Sequence, residues 1–79
     1  MRKKSDGING TVNVGTAINF KRRQKQLSAR ALSAAAGLSP SYVSKIESGE
    51  MEPSFKAFCN IAAVLELSDA EIVFLVRLK

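Results

Sequence analysis

The sequence predicts an all-α domain of five short helices behind a flexible basic N-terminal arm, and three observations carry that prediction. Serine stands just ahead of helix-compatible runs at Ser28, Ser39, Ser54 and Ser68, where its hydroxyl can take an orphan amide of a first helical turn. Gly37 and Gly49 fall where two of those runs stop, and glycine readily supplies the left-handed conformation found past helix ends. The apolar residues between these signals follow helical spacing, and 79 residues make one small domain.

Residues 1–14 read as the arm. Gly7, Asn9, Gly10 and Asn13 are turn formers, no hydrophobic period is sustained, and Arg2, Lys3 and Lys4 form a basic cluster. Residues 15–79 form the domain. A first helix is expected over about 16–26, with Ala17 and Ile18 as its best core contacts, ahead of Phe20; its middle, Lys21 to Lys25, is too polar to be buried. A second helix is expected over about 29–36, capped by Ser28, rich in alanine and ended by Gly37. Ser39-Pro40 opens a third, since serine caps and proline suits the first turn, where its missing N–H has no helical partner. Val43 and Ile46 share its inner face, and Gly49 ends it.

After a loop at 50–53, Ser54 caps a fourth helix with Phe55, Phe58, Ile61, Ala62 and Leu65 at core spacing. Cys59 falls on the apolar side of that helix and is expected to be a buried packing thiol. Ser68 and Glu71 fit a capping box ahead of residues 72–78. The β-branched content of that last segment suits a strand as well, and the box favours a helix.

The residue inventory removes most catalytic chemistry. There is no histidine, and Cys59 is the one cysteine. Neither a Ser-His nor a Cys-His nucleophile can be built, nor a zinc site of several Cys and His ligands. The acidic residues lack metal-loop spacing. The expectation is a non-enzyme without cofactor or metal. No apolar run approaches the roughly 20 residues that span a bilayer, and a lone cysteine suits a cytoplasmic protein.

Charge points to a polyanion. The net charge is +5, and its distribution says more than its sum. Residues 1–45 carry nine basic side chains against Asp6 alone, a net +8; residues 46–79 carry three basic and six acidic ones, a net −3. One end of the molecule is a cationic surface of the kind that meets nucleic acid, although a solvated face with a basic tail would give the same count.

The informative stretch is 29–48. Leu32 and Ala36 lie on the inner face of the second helix, Val43 and Ile46 on that of the third, and Gly37 stands in the turn between them. Ser33 faces the crossing point, where a larger side chain would push the helices apart. Small at the crossing, glycine at the turn and aliphatic inside is the composition of a helix-turn-helix.

The wider segment LSARALSAAAGLSPSYVSKIESGEMEPSFKAFCNIAAVLEL resembles the lambda-repressor-like helix-turn-helix family, the Cro or Xre type. It has the family's order: Leu-Ser before the second helix, Ala-Gly-Leu-Ser at the turn, Val-Ser-Lys-Ile-Glu-Ser-Gly in the third, then Pro-Ser and an amphipathic helix. The resemblance spans roughly residues 15–76 and implies that the helix over 39–48 lies in the DNA major groove. Ser39, Pro40, Ser41, Tyr42, Ser44 and Lys45 are then the candidate base contacts. Arg2, Lys3, Lys4, Arg23, Ser28, Ala29 and Arg30 are the candidate phosphate contacts, with helix starts near Ser28 and Ser39 contributing amides. The family usually has glutamine where this chain has Ala29, and often a basic loop where it has Glu50 and Glu52. Both departures weaken the grip on the backbone, and the arm and basic first helix offset them. Arg22 and Glu47 match positions that pair between the first and third helices in the family.

The last helix bears on assembly. Between Ile72 and Leu78 six of seven residues are apolar, more than one buried face uses. Val73, Phe74 and Val76 are therefore the expected homodimer interface, and the basic first helix is set aside because self-pairing would bring like charges together. The expected function is a sequence-specific regulator, a repressor, binding a palindromic site on double-stranded DNA in the prokaryotic cytoplasm or nucleoid. The competing reading is a protein-interaction module, antitoxin-like or polymerase-binding, that keeps the fold with weak DNA binding.

Overall fold

A computed structural model describes residues 13–78, and among these every regular element is a helix: α1 (Val14–Gln24), α2 (Ala29–Ala35), α3 (Tyr42–Glu47), α4 (Phe55–Leu65) and α5 (Asp69–Arg77). Arg2, Lys3, Lys4 and the rest of the arm through residue 12 lie outside the described residues. The segment that was open between strand and helix is helical. Its capping box is complete: the Ser68 hydroxyl accepts from the Glu71 amide at 3.1 Å, and the Glu71 carboxylate accepts from the Ser68 amide at 2.8 Å.

Three of the four expected serine caps form locally, at Ser28, Ser54 and Ser68. The fourth does not. Ser39, Pro40 and Ser41 make a turn in which the Ser39 carbonyl accepts from the Tyr42 amide at 3.0 Å, and α3 begins only at Tyr42. This i→i+3 bond is the tight form that often precedes a helix. At the other end of the chain α1 starts two residues earlier than expected, because Asn13 is a cap and not only a turn former: its side chain accepts from the Thr16 amide at 2.9 Å. Val14 and Gly15 are consequently buried members of the domain.

The turn between α2 and α3 shows why Gly37 is glycine. Its φ is +74°, and it lets the Leu38 amide reach back to the Ser33 carbonyl at 2.8 Å while its own amide meets the Ala34 carbonyl at 3.0 Å. These two bonds form a Schellman motif.

One core joins all five helices: Ile18 from α1, Leu32 from α2, Val43 and Ile46 from α3, Phe58, Ile61 and Leu65 from α4, and Leu75 from α5. Two expectations fail here. Phe55 is 77% exposed, because it is the first residue of α4 and precedes the first buried residue of that helix, Ala57. Cys59 is exposed as well. It follows Phe58 by one residue, which turns it about 100° away from the Phe58-Ile61-Leu65 stripe.

The ends of α1 and α4 repeat the Schellman arrangement without glycine. Gln26 at φ +60° and Glu66 at φ +57° occupy the left-handed position, which costs an L-residue roughly 1–2 kcal/mol. Gln26→Gly is expected to raise stability by about 0.5–1 kcal/mol after the larger backbone entropy of glycine is deducted, and so to raise the melting temperature by about 2–8 °C. An unchanged or lower midpoint in thermal unfolding would contradict the assignment of strain to this residue.

Candidate nucleic-acid interface

The site is built around a helix too short to stand alone. α3 has six residues, of which only Val43 and Ile46 are buried, and helices of that length do not persist in water without tertiary contacts. Both of its ends are held by polar side chains of other helices.

At the N-terminal end the fixing group is Ser33. It is fully buried, and its hydroxyl donates to the Ala29 carbonyl at 2.9 Å while accepting from the Val43 amide at 3.1 Å. A side chain of α2 therefore caps α3. Its size lets the helices cross closely, and its polarity satisfies an amide that the turn leaves without a backbone partner. The half-buried Tyr42 adds a tie to α4, its hydroxyl accepting from the Ser54 amide at 3.2 Å. Asn60 of α4 donates to the Ala36 carbonyl at 3.2 Å, at the end of α2.

At the C-terminal end the fixing group is the Glu47 carboxylate. Arg22 grips it with two nitrogens, Nε at 2.7 Å and Nη2 at 2.9 Å, and sends Nη1 to the Leu27 carbonyl at 2.8 Å. Asn19 donates to the same carboxylate at 2.9 Å. The Arg22 and Glu47 side chains are only 12% and 11% exposed. Burial pushes the Glu47 carboxyl up, but the hydrogen bonds from Arg22 and Asn19 and the charges of Arg22 and Arg23 outweigh it and hold it below the usual range. The bond to Glu47 likewise raises Arg22, against a smaller opposing effect of burial. A carboxylate at a helix C-terminus opposes the helix dipole, so the position is tolerable because α1 supplies the counter-charge. Gly15 lets α1 come this close, since a β-carbon there would collide with the Ile46 carbonyl oxygen.

Held from behind, α3 and its leading turn present Ser39, Pro40, Ser41, Ser44 and Lys45 to solvent. Tyr42, the sixth candidate base contact, stands apart from them as a half-buried tie to α4. Among the phosphate candidates Arg23 and Arg30 are exposed, Arg23 with its Nε on Asn19 at 3.1 Å. The Ser28 hydroxyl is engaged as the cap of α2, taking the Ala31 amide at 2.9 Å. The amides of Ala29 and Arg30, which no carbonyl of that helix can reach, are then left at its start.

The basic middle of α1 is not a row of solvated cations. Lys21 pairs with Glu71 of α5, and Lys25 pairs with Glu66 at 2.6 Å. On α5, Val73, Phe74 and Val76 are 51%, 56% and 47% exposed. They do not share one patch: Phe74 borders a groove against α1, and Val76 projects roughly 160° away around the helix.

Ser33, Asn19, Gly15 and Phe20 take parts that sequence reasoning did not assign. The sequence marks Ser33 by its size and not by its hydroxyl. Asn19 carried no signal beyond lying three residues before Arg22. A glycine at the second position of a helix was the available sign of a close approach.

The depressed carboxyl of Glu47 fixes a pH dependence. Its contribution is complete above the ordinary carboxylate range and is lost as pH falls through its lowered value. Glu47→Gln is expected to cost about 1–3 kcal/mol at neutral pH, by leaving Arg22 without its counter-charge. It should also flatten the acid limb of the stability curve. Denaturant unfolding from neutral to acid pH checks both, and parallel curves for the two proteins would contradict the assignment.

No metal-holding group of His, Cys, Asp and Glu occurs among the described residues, and none of their helices is long and apolar enough to cross a membrane. A family model described as Helix-turn-helix matches residues 18–72, from within α1 to the first turn of α5. No curated protein and no solved structure matches the chain. The matched span holds the Ser33-capped turn, the whole of α3 and the Arg22–Glu47 brace, and the chain belongs to the lambda-repressor-like, Cro-type helix-turn-helix family of DNA-binding regulators.

Proposed function

We propose that the protein is a sequence-specific transcriptional repressor that lays α3 and its leading turn in the major groove of duplex DNA, as a homodimer on a two-fold symmetric operator. The observation that carries this reading is the exposed row Ser39, Pro40, Ser41, Ser44 and Lys45 along α3 and its leading turn, with the opposite face of α3 braced at both ends. A reader must be rigid, because each side chain has to meet a base edge in register.

The side chains suit the task. The Lys45 ammonium donates to guanine O6 or N7, and the short hydroxyls of Ser41 and Ser44 donate or accept at any base edge. Pro40 and Ser39 meet a thymine methyl or the sugar wall. Tyr42 keeps its own phenolic proton, since the Ser54 amide uses only an acceptor site, and can give it to a phosphate. Arg23, Arg30 and the amides after Ser28 take further phosphates, with Ala29 contributing main chain only. Arg2, Lys3 and Lys4 add further cations for phosphate. One such helix reads only a few base pairs. A second copy, joined through an apolar face that includes the exposed Phe74 of α5, doubles the site.

The protein-interaction reading has one specific support. Lys21 and Lys25 are committed to carboxylates within the fold, which lowers the positive potential available to DNA. Selection from random duplexes separates the two. The wild type is expected to enrich a two-fold symmetric consensus. Lys45→Ala and Ser41→Ala should each relax it at one position per half-site by about 1–3 kcal/mol of discrimination. No enrichment by the wild type, or an unchanged consensus in both variants, would overturn the proposal.

A further inference from the structure

We infer that two copies of the chain join through the groove between α1 and α5, with Phe20 of α1 as much a part of the interface as Phe74 of α5. This rests on the homodimer reading above and names the face that makes the dimer.

The groove has a volume of about 510 Å³. Its lips are two phenylalanines that the fold leaves in water, Phe20 at 61% and Phe74 at 56% exposure. Ala17, Leu67, Ala70 and Leu75 line it between them. Exposed aromatic rings around an apolar trough are an unstable arrangement for a lone domain. A face that offers both ring-sized projections and an apolar floor of alanine and leucine is complementary to itself, which is what a two-fold interface demands.

Charge selects the same partner. The lysines of α1 do not stand against their own copies. Lys21, on the groove wall, already contacts Glu71 on the facing wall, and Lys25 contacts Glu66 just beyond. The two charged residues of the groove are therefore one neutral pair, and a two-fold copy can exchange it, Lys21 of one subunit facing Glu71 of the other, without bringing like charges together. None of the lining residues comes from α2 or α3, so pairing here leaves the α3 face open for DNA. The other exposed residues of α5 serve this face less well, since Val73 and Val76 do not line the groove.

The test is sedimentation of the full chain without DNA, so that it does not depend on operator binding. The wild type is expected to dimerise. Phe20→Glu and Phe74→Glu should each raise the dimer dissociation constant by roughly 30-fold or more, the mark of a lost hot-spot aromatic. Both side chains are already exposed, so far-UV circular dichroism and the melting profile of the monomers should stay native. Ala70→Arg, which fills the floor from an exposed position, should have the same effect and guards against misfolding of either phenylalanine variant. Val76→Glu should remain a dimer. A wild type that stays monomeric up to its solubility limit would overturn the inference, leaving the groove to another segment or protein. So would a dimer that survives Phe20→Glu and Ala70→Arg but dissociates with Val76→Glu. A dimer lost on Phe20→Glu in a protein that selects no DNA sequence would uphold the interface and refute the DNA reading separately.

Discussion

The hydroxyl of Ser33 is the contact on which the arrangement of the reading helix depends. It closes two hydrogen bonds at a point where α2 and α3 cross, one inside its own helix and one to the Val43 amide of the next. An unmet buried amide costs about 1–3 kcal/mol, a large fraction of the stability of a domain this small. The group that meets it has to be polar, and the crossing leaves room only for a short side chain. Serine satisfies both demands. Alanine would meet the second and fail the first, and asparagine would do the reverse.

The other end of α3 is governed by charge. Glu47 faces the negative end of its own helix, and three donor nitrogens from α1 make that position favourable. Gly15 brings α1 near enough for them to reach. With α2 and α1 fixing opposite ends, α3 can spend its outer face on polar side chains that contribute nothing to the core. The same economy runs through the basic residues. Part of the cationic half of the sequence is matched within the fold, because Lys21, Arg22 and Lys25 each meet a carboxylate of another element. The charge presented to a polyanion is correspondingly narrower than the net +8 of residues 1–45 suggests.

What could be read from the sequence was local. Ser28, Ser54 and Ser68 cap helices that begin one residue later, and Gly37 ends α2, because those interactions join residues close along the chain. The inner faces of α2 and α3 were legible for the same reason. Ser39 misled because the side chain that caps α3 is that of Ser33, ten positions before the Val43 amide it meets, across the turn. Cys59 and Phe55 misled because helical spacing marks a face and not how far the neighbouring helices extend over it. The Arg22–Glu47 pair was open to reading only through a family resemblance. The Lys21–Glu71 and Lys25–Glu66 pairs, which change the meaning of a basic first helix, leave no mark in the sequence at all. Phe20, whose spacing suits a core residue less well than Ala17 and Ile18, stands at the rim of a groove that only the approach of α1 to α5 creates.

Backbone hydrogen exchange in Ser33→Ala tests the central claim most directly. In the wild type the Val43 amide is expected to exchange as slowly as the amides of Phe58 to Leu65 in α4, opening only when the whole domain unfolds. In the variant the amides of α3 should open locally, exchanging roughly 5- to 100-fold faster than those of α4. Equal acceleration of both helices, or no loss of protection at Val43, would show that α3 is held in place by its two buried aliphatic residues and not by the serine behind it.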